Sequence, residues 1–169
     1  MEIRQVKKTD AKSLLALMYR LDSETTFMLF ESGERKTTVE EQQVIINSFI
    51  NDDAKEMIVA IDNNEVCGFI VGIGNTTKRN RHSLYCVIGI EQKSTGKGLG
   101  KQLLQALEDW SASRDITRLE LTVMCHNEHA ISLYKSYGFK IEGIKKQALR
   151  VDGRFVDEYY MAKLLDDNL

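Results

Sequence analysis

Apolar and polar residues change their period several times along this chain, and each change marks a structural element. Residues 1–6, MEIRQV, alternate as a strand, and Leu14, Leu17, Met18 and Leu21 then recur at helical spacing behind Asp10, which reads as a helix cap. The stretch from Asp22 to Lys36 is irregular. Thr38 and Glu41 form a capping box ahead of QQVIINSFI, a second helix. EMIVAID and EVCGFIVGIGN, joined at Asn63-Asn64, predict a hairpin of two largely buried strands, and HSLYCVIGI a further strand. Leu99, Leu103, Leu107 and Trp110 mark one face of a third helix. RLELTV alternates, with Leu119, Leu121 and Val123 on one side and Arg118, Glu120 and Thr122 on the other. Asn127 to Tyr137 reads as a fourth helix, with Ala130, Leu133, Tyr134 and Tyr137 at helical spacing and Gly138 where a glycine would end it. Two last strands turn at Asp152-Gly153, a hairpin dipeptide.

The order β α α β β β α β α β β predicts a mixed α/β sheet in a single domain over residues 1–169. With 43% hydrophobic residues, the chain can bury a substantial core. A net charge of −2 offers no global basic field, so nucleic acid is not an expected partner. The N-terminal segment lacks a signal-peptide core and no apolar run is long enough to span a membrane, so a cytoplasmic protein is expected, with no membrane partner. Cys67, Cys86 and Cys125 are odd in number and scattered through apolar runs, which fits core thiols better than a disulfide framework or a metal site. Cys125 precedes His126, but a thiolate nucleophile there has no base or orienting partner in view.

The segment QKSTGKGLGKQLL places three glycines within five positions at the mouth of the third helix. Such a loop lets the backbone approach a ligand, and the helix start offers unpaired N–H groups with partial positive charge, a cradle for phosphate. Lys93, Lys97 and Lys101 add cations. A P-loop is excluded, because Thr95 stands five residues before Gly100 and Gln102 follows Lys101. A G-x-G-x-x-G dinucleotide fingerprint is excluded as well, because Lys101 and Leu103 occupy its third glycine position in the two registers. The remaining reading of the loop by itself is a glycine-rich turn with a solvated lysine face.

A strand, TGKGLGKQLL, a second strand, then Asn127, Ala130, Tyr134 and Gly138-Phe139 in that order resemble the Gcn5-related N-acetyltransferase (GNAT) family over nearly the whole chain. The family's Q/R-x-x-G-x-G/A motif puts its glycines on Gly98 and Gly100, and Thr95 departs from its first position. The resemblance implies a mostly antiparallel central sheet of about seven strands with a splayed parallel pair, flanked by about four helices. It implies acetyl-CoA as cosubstrate, no metal, and an acetyl-CoA dependent N-acetyltransferase activity. The pyrophosphate would be held by main-chain amides of Thr95, Gly96, Lys97, Gly98, Leu99, Gly100 and Lys101. The pantetheine arm would lie between LYCVIGI and RLELTV, with a backbone N–H at Ile88 to Ile90 for the developing oxyanion. Asn127 would contact the arm, while by itself it also reads as an N-cap. Tyr134 would be the catalytic acid beside the leaving thiolate, where helical spacing alone reads it as core. Glu120, His82 and Glu24 are candidate bases that nothing in the chain chooses between. The acceptor would be a primary amine of a small molecule or a peptide N-terminus, bound by residues 22–36 and 148–157, with Asp22, Glu24, Glu31 and Glu34 available to a cation. A homodimer is allowed. The reading from a different class is a non-catalytic CoA-binding or sensing module, against which Tyr134 argues.

Overall fold

The computed structural model describes residues 1–165, so residues 166–169 of the expected domain lie outside the described residues. Strands β1 (Glu2–Gln5), β2 (Lys55–Asp62), β3 (Glu65–Gly74), β4 (Ser83–Ile90), β5 (Arg118–Met124), β6 (Lys140–Val151) and β7 (Arg154–Leu164) alternate with helices α1 (Ala11–Glu24), α2 (Val39–Ile50), α3 (Leu99–Ala112) and α4 (Glu128–Ser136) in the order read from the sequence. The strands form one sheet in the order β1-β2-β3-β4-β5-β7-β6, antiparallel except between β4 and β5. No helix among the described residues is long and apolar enough to cross a membrane.

Local chemistry accounts for the hairpins. Asn63 and Asn64 both take positive φ (49° and 63°), as do Asp152 and Gly153 (48° and 76°), so each pair turns in the sense that matches strand twist. Thr38 and Glu41 close their box reciprocally, with Glu41 N–H donating to Thr38 Oγ1 at 3.1 Å and Thr38 N–H to Glu41 Oε2 at 2.8 Å. Asp10 departs from expectation. Its side chain caps nothing in α1; it accepts the Lys7 N–H at 2.7 Å and both terminal nitrogens of Arg4 at 2.8 and 3.0 Å. A cap predicted from spacing is therefore a clamp between β1 and the turn leading into α1.

Each face of the sheet buries its own apolar cluster. Leu14, Leu17 and Leu21 of α1 and Ile46 of α2 pack with Val59, Phe69 and Val71 on one face. Leu99, Leu103, Leu104 and Leu107 of α3 and Tyr134 of α4 pack with Ile70, Leu84, Leu119, Leu121 and Val123 on the other. The alternation in RLELTV decides which side of β5 meets α3 and α4, because successive side chains point to opposite faces.

Gly100 serves the packing of α3 on α4. A Cβ placed on it would stand 2.6 Å from Leu133 Cδ2 and 3.1 Å from Cδ1, inside van der Waals contact. The missing side chain makes room for a neighbouring helix. Gly100→Val should therefore lower unfolding stability by about 1–3 kcal/mol through overpacking, read as a shift of the urea midpoint with unchanged slope; an unmoved midpoint would mean that Leu133 turns aside freely.

Candidate active site

Three register pairs join β4 to β5: Ser83 with Arg118, Leu84 with Leu119, and Tyr85 with Glu120. Beyond them the strands diverge, although β3 holds β4 as far as Ile90 and β7 holds β5 as far as Met124. The result is a wedge with exposed main chain on its inner edges. Its polarity follows from one bond: Glu91 N–H donates to Cys67 O at 3.0 Å, toward β3. Since successive N–H groups of a strand alternate sides, those of Ile90 and Ile88 point into the wedge. These are the donors expected for the cofactor arm and the oxyanion.

The glycine loop lies at the open end. Gly96 (φ 74°) and Gly98 (φ 77°) sit in the left-handed region, and a Cβ on Gly96 would meet no atom within 4 Å. Gly98 precedes α3 without a side chain to cap it. Among the described residues, the N–H groups of Gly96, Lys97, Gly98, Leu99, Gly100 and Lys101 have no backbone partner, the first bond of the helix being Gln102 N–H to Gly98 O at 3.2 Å. Lys97 and Lys101 are exposed beside them, and the Leu99 side chain is buried. This donor set fits a pyrophosphate. Thr95 leaves the set: its N–H donates to Gln92 O at 3.2 Å and its hydroxyl to the same oxygen at 2.7 Å. It closes the 3₁₀ turn Gln92–Ser94 that precedes the loop.

Residues that sequence reading passed over hold this loop in place. Glu91, 2% exposed, accepts from Arg20 of α1 at 2.5 Å and from the Ser94 hydroxyl at 2.8 Å. Glu24, a candidate base, accepts the Gln92 N–H at 3.0 Å and so joins the end of α1 to the same turn. Glu91 stands directly before the glycine segment, but its Arg20 partner is 71 positions away and gives no local signal.

Helix α4 lines the wedge from the α3 side. Asn127 caps it through Oδ1, which accepts the Ala130 N–H at 3.2 Å, leaving the Nδ2 hydrogens available. Tyr134, 7% exposed, has no hydrogen-bond partner for its hydroxyl among the described residues, and its ring packs on Phe139 at a centroid distance of 5.7 Å. Burial above all, with Cys86 and Tyr85 on β4 adding to it, pushes the phenol well above its ordinary range. The shift favours the protonated phenol, and the side chain packs in one apolar cluster with Leu84 and Cys86 of β4 and Leu119 and Leu121 of β5.

On the opposite face the acidic candidates are mostly engaged. Asp22 is buried and gripped by Arg35 at 2.6 and 3.0 Å, a pair that folds the loop before α2 onto α1. Glu34 accepts the Glu31 N–H at 2.9 Å, and both side chains are exposed. Glu120 faces this side of the sheet but is bonded to Arg118 at 2.8 Å, and Arg118 also holds Glu142. His82 precedes β4 at the end away from the wedge mouth, where its carbonyl receives the N–H of Thr117 and Arg118. Phe27 lies over His126 at 5.1 Å and brings the loop between α1 and α2 to the end of β5. The cysteines divide: Cys67 and Cys86 are core, as expected, whereas Cys125 is only half-buried. Burial, then Asp157, raises the Cys125 thiol, and burial drives Cys86 up to about 12, so neither is poised as a thiolate.

A model of the Acetyltransferase (GNAT) family matches residues 15–139. L-amino acid N-acetyltransferase AaaT of Escherichia coli (strain K12) is 33% identical over 117 residues, 65% of this chain and 68% of that protein. The ribosomal protein uS5-alanine N-acetyltransferase of the same strain is 30% identical over 107 residues, 63% of this chain and 55% of that protein. The crystal structure of a GNAT-family acetyltransferase from Streptococcus pneumoniae superposes with a TM-score of 0.91 at 31% identity, covering 98% of this chain and 99% of that one. Since the glycine loop, the wedge and Tyr134 all fall inside the matched span, the chain belongs to the GNAT family of acetyltransferases.

Proposed function

We propose that this N-acetyltransferase uses acetyl-coenzyme A as donor and transfers the acetyl group directly, in a ternary complex, to a primary amine of a small molecule or a peptide N-terminus. One observation carries the reading: the Tyr134 phenol, buried and without a hydrogen-bond partner among the described residues, packs with Leu84 and Cys86 of β4 and Leu121 of β5 beside the wedge into which the Ile88 and Ile90 amides point. The donor brings a carbonyl activated as a thioester and a thiolate leaving group. The amides from Gly96 to Lys101, with Lys97 and Lys101, bind its pyrophosphate. Asn127 donates from Nδ2 to the arm while Oδ1 keeps its cap. Ile88 and Ile90 N–H groups orient the arm and stabilise charge on the carbonyl oxygen. Tyr134 Oη supplies a proton to the departing sulfur.

Direct transfer agrees with thiols whose acidity is suppressed. The acceptor amine approaches from the α1 and α2 face and loses its proton to water, since Glu120 and Glu24 are already engaged as acceptors. The relatives' named acceptors, amino acids and a ribosomal protein's alanine, agree with an amine of this size. Three free thiols suit a reducing compartment, and we assign the enzyme to the cytoplasm.

Tyr134→Phe should lower kcat by ~10²-fold while leaving the melting temperature and the coenzyme A dissociation constant nearly unchanged, because the lost hydroxyl has no hydrogen-bond partner among the described residues. An unaltered kcat with chemistry rate-limiting would remove the residue from the mechanism. The raised phenol also predicts that wild-type kcat shows no loss attributable to Tyr134 between about pH 8 and 9.5, since the proton is retained there; a fall across that range that Tyr134→Phe abolishes would contradict it. Lys97→Glu and Lys101→Glu should each weaken coenzyme A binding by roughly tenfold or more at low salt, less at high salt, in calorimetric titrations. Equal losses at both salt concentrations would argue that the two lysines do not meet the phosphates.

A further inference from the structure

On the face turned toward α1 and α2, a single side-chain bond spans the start of the wedge: Tyr85 Oη and Thr122 Oγ1 are 3.0 Å apart. Tyr85 is the last residue of β4 in register with β5, opposite Glu120, and Thr122 lies two residues further along β5 on the same face. The tyrosine ring therefore leans forward, over the point where the strands separate, instead of standing over its own rung. On the other face Cys86, the next residue of β4, is buried in the same apolar cluster as Tyr134. The closed end of the wedge is thus walled on both faces. From Ile90 at the open end to Tyr85 is five residues, roughly 17 Å of extended strand, which fixes how far any molecule anchored at the glycine loop can reach.

We propose that the Tyr85–Thr122 clasp sets the acyl-chain length the enzyme accepts. The proposal rests on the reading that an acyl-coenzyme A lies in the wedge with its thioester toward the closed end. The clasp stands just beyond the acyl carbonyl, leaves room for one methyl group, and meets the additional methylenes of propionyl and butyryl groups. It is held by one hydrogen bond between residues 37 positions apart, and Tyr85 is 37% exposed, so its ring has space to swing outward once the bond is lost.

The test is calorimetric binding of coenzyme A, acetyl-, propionyl- and butyryl-coenzyme A with no amine present, so that no turnover enters the measurement. Wild-type protein should bind butyryl-coenzyme A at least ~10-fold more weakly than acetyl-coenzyme A, the scale at which a closed pocket discriminates one or two methylenes. Thr122→Ala and Tyr85→Phe, which each remove one half of the bond, should bring the two within about threefold while binding free coenzyme A as wild type does. Butyryl-to-acetyl ratios unchanged in both variants, with free coenzyme A still bound, would overturn the clasp and leave the cofactor reading standing. Failure of wild-type protein to bind coenzyme A at all would overturn the cofactor reading and the clasp with it. A melting curve on each variant identifies one that fails to fold, in which case the other decides.

Discussion

The hydrogen-bond ladder between β4 and β5 stops at Tyr85 and Glu120, and the chemistry of the molecule is arranged around that stop. The sheet tolerates it because each diverging strand keeps a full partner on its outer side, β3 for β4 and β7 for β5. What remains on the inner edges, among the described residues, is a row of backbone groups with no cross-strand partner between β4 and β5. A gap of this kind suits an extended molecule bearing amides and a carbonyl, because it offers strand-like pairing to a ligand and not to the chain itself. A parallel pair is a natural place for the gap, since its two strands are joined through α3 and not through a tight turn that would force them together.

The open end of the wedge depends on a different interaction. Glu91 is buried between Arg20 and Ser94, while Glu24 takes the Gln92 amide, so the last turn of α1 grips the chain just before the glycines. A buried ion pair adds little net stability once desolvation is counted, but it restricts the chain to one arrangement. That restriction matters here because the stretch from Gly96 to Gly98 contributes almost no packing: it is exposed, and its amides have no backbone partner among the described residues. Rigidity is imported from α1, and the donors are held in place before any phosphate arrives.

Helix α4 aligns the remaining groups. Asn127 and Tyr134 are seven residues apart, two turns, which puts them on one face and roughly 10 Å apart along the axis. The helix ends in a tight closure, with Gly138 at φ 99° and Phe139 N–H donating to Tyr134 O at 2.9 Å. That closure also brings the Phe139 ring against Tyr134. One short helix therefore carries an amide just beyond the end of β5 and a phenol packed against Leu84 and Cys86 of β4. Burial of the phenol favours its protonated form, the state that the proposed proton transfer to a leaving thiolate requires.

Much of this was readable from the sequence because it is written in neighbouring residues. The capping box at Thr38 and Glu41, the positive-φ pairs at Asn63-Asn64 and Asp152-Gly153, the helical spacing of Leu99, Leu103 and Leu107, and the alternation of RLELTV each depend on bonds or periods spanning a few positions, and each appears in the fold as read. The site residues were readable only as candidates, since a type and a spacing do not say what a side chain meets. Gly100 has the local look of a ligand-facing glycine, yet Leu133 of another helix occupies the space beside it. Thr95 sits in the motif, but its donors turn back to Gln92. Asp10 and Asp22 look like a cap and a cation site until Arg4 and Arg35 fold onto them. Tyr85 and Thr122, in two strands separated by the whole of α3, carry no sign in sequence that they touch. Backbone conformation answers to adjacent residues and is fixed by short-range sterics and hydrogen bonds, whereas the partner of a polar side chain is chosen only when distant elements pack, and only the tertiary structure makes that choice.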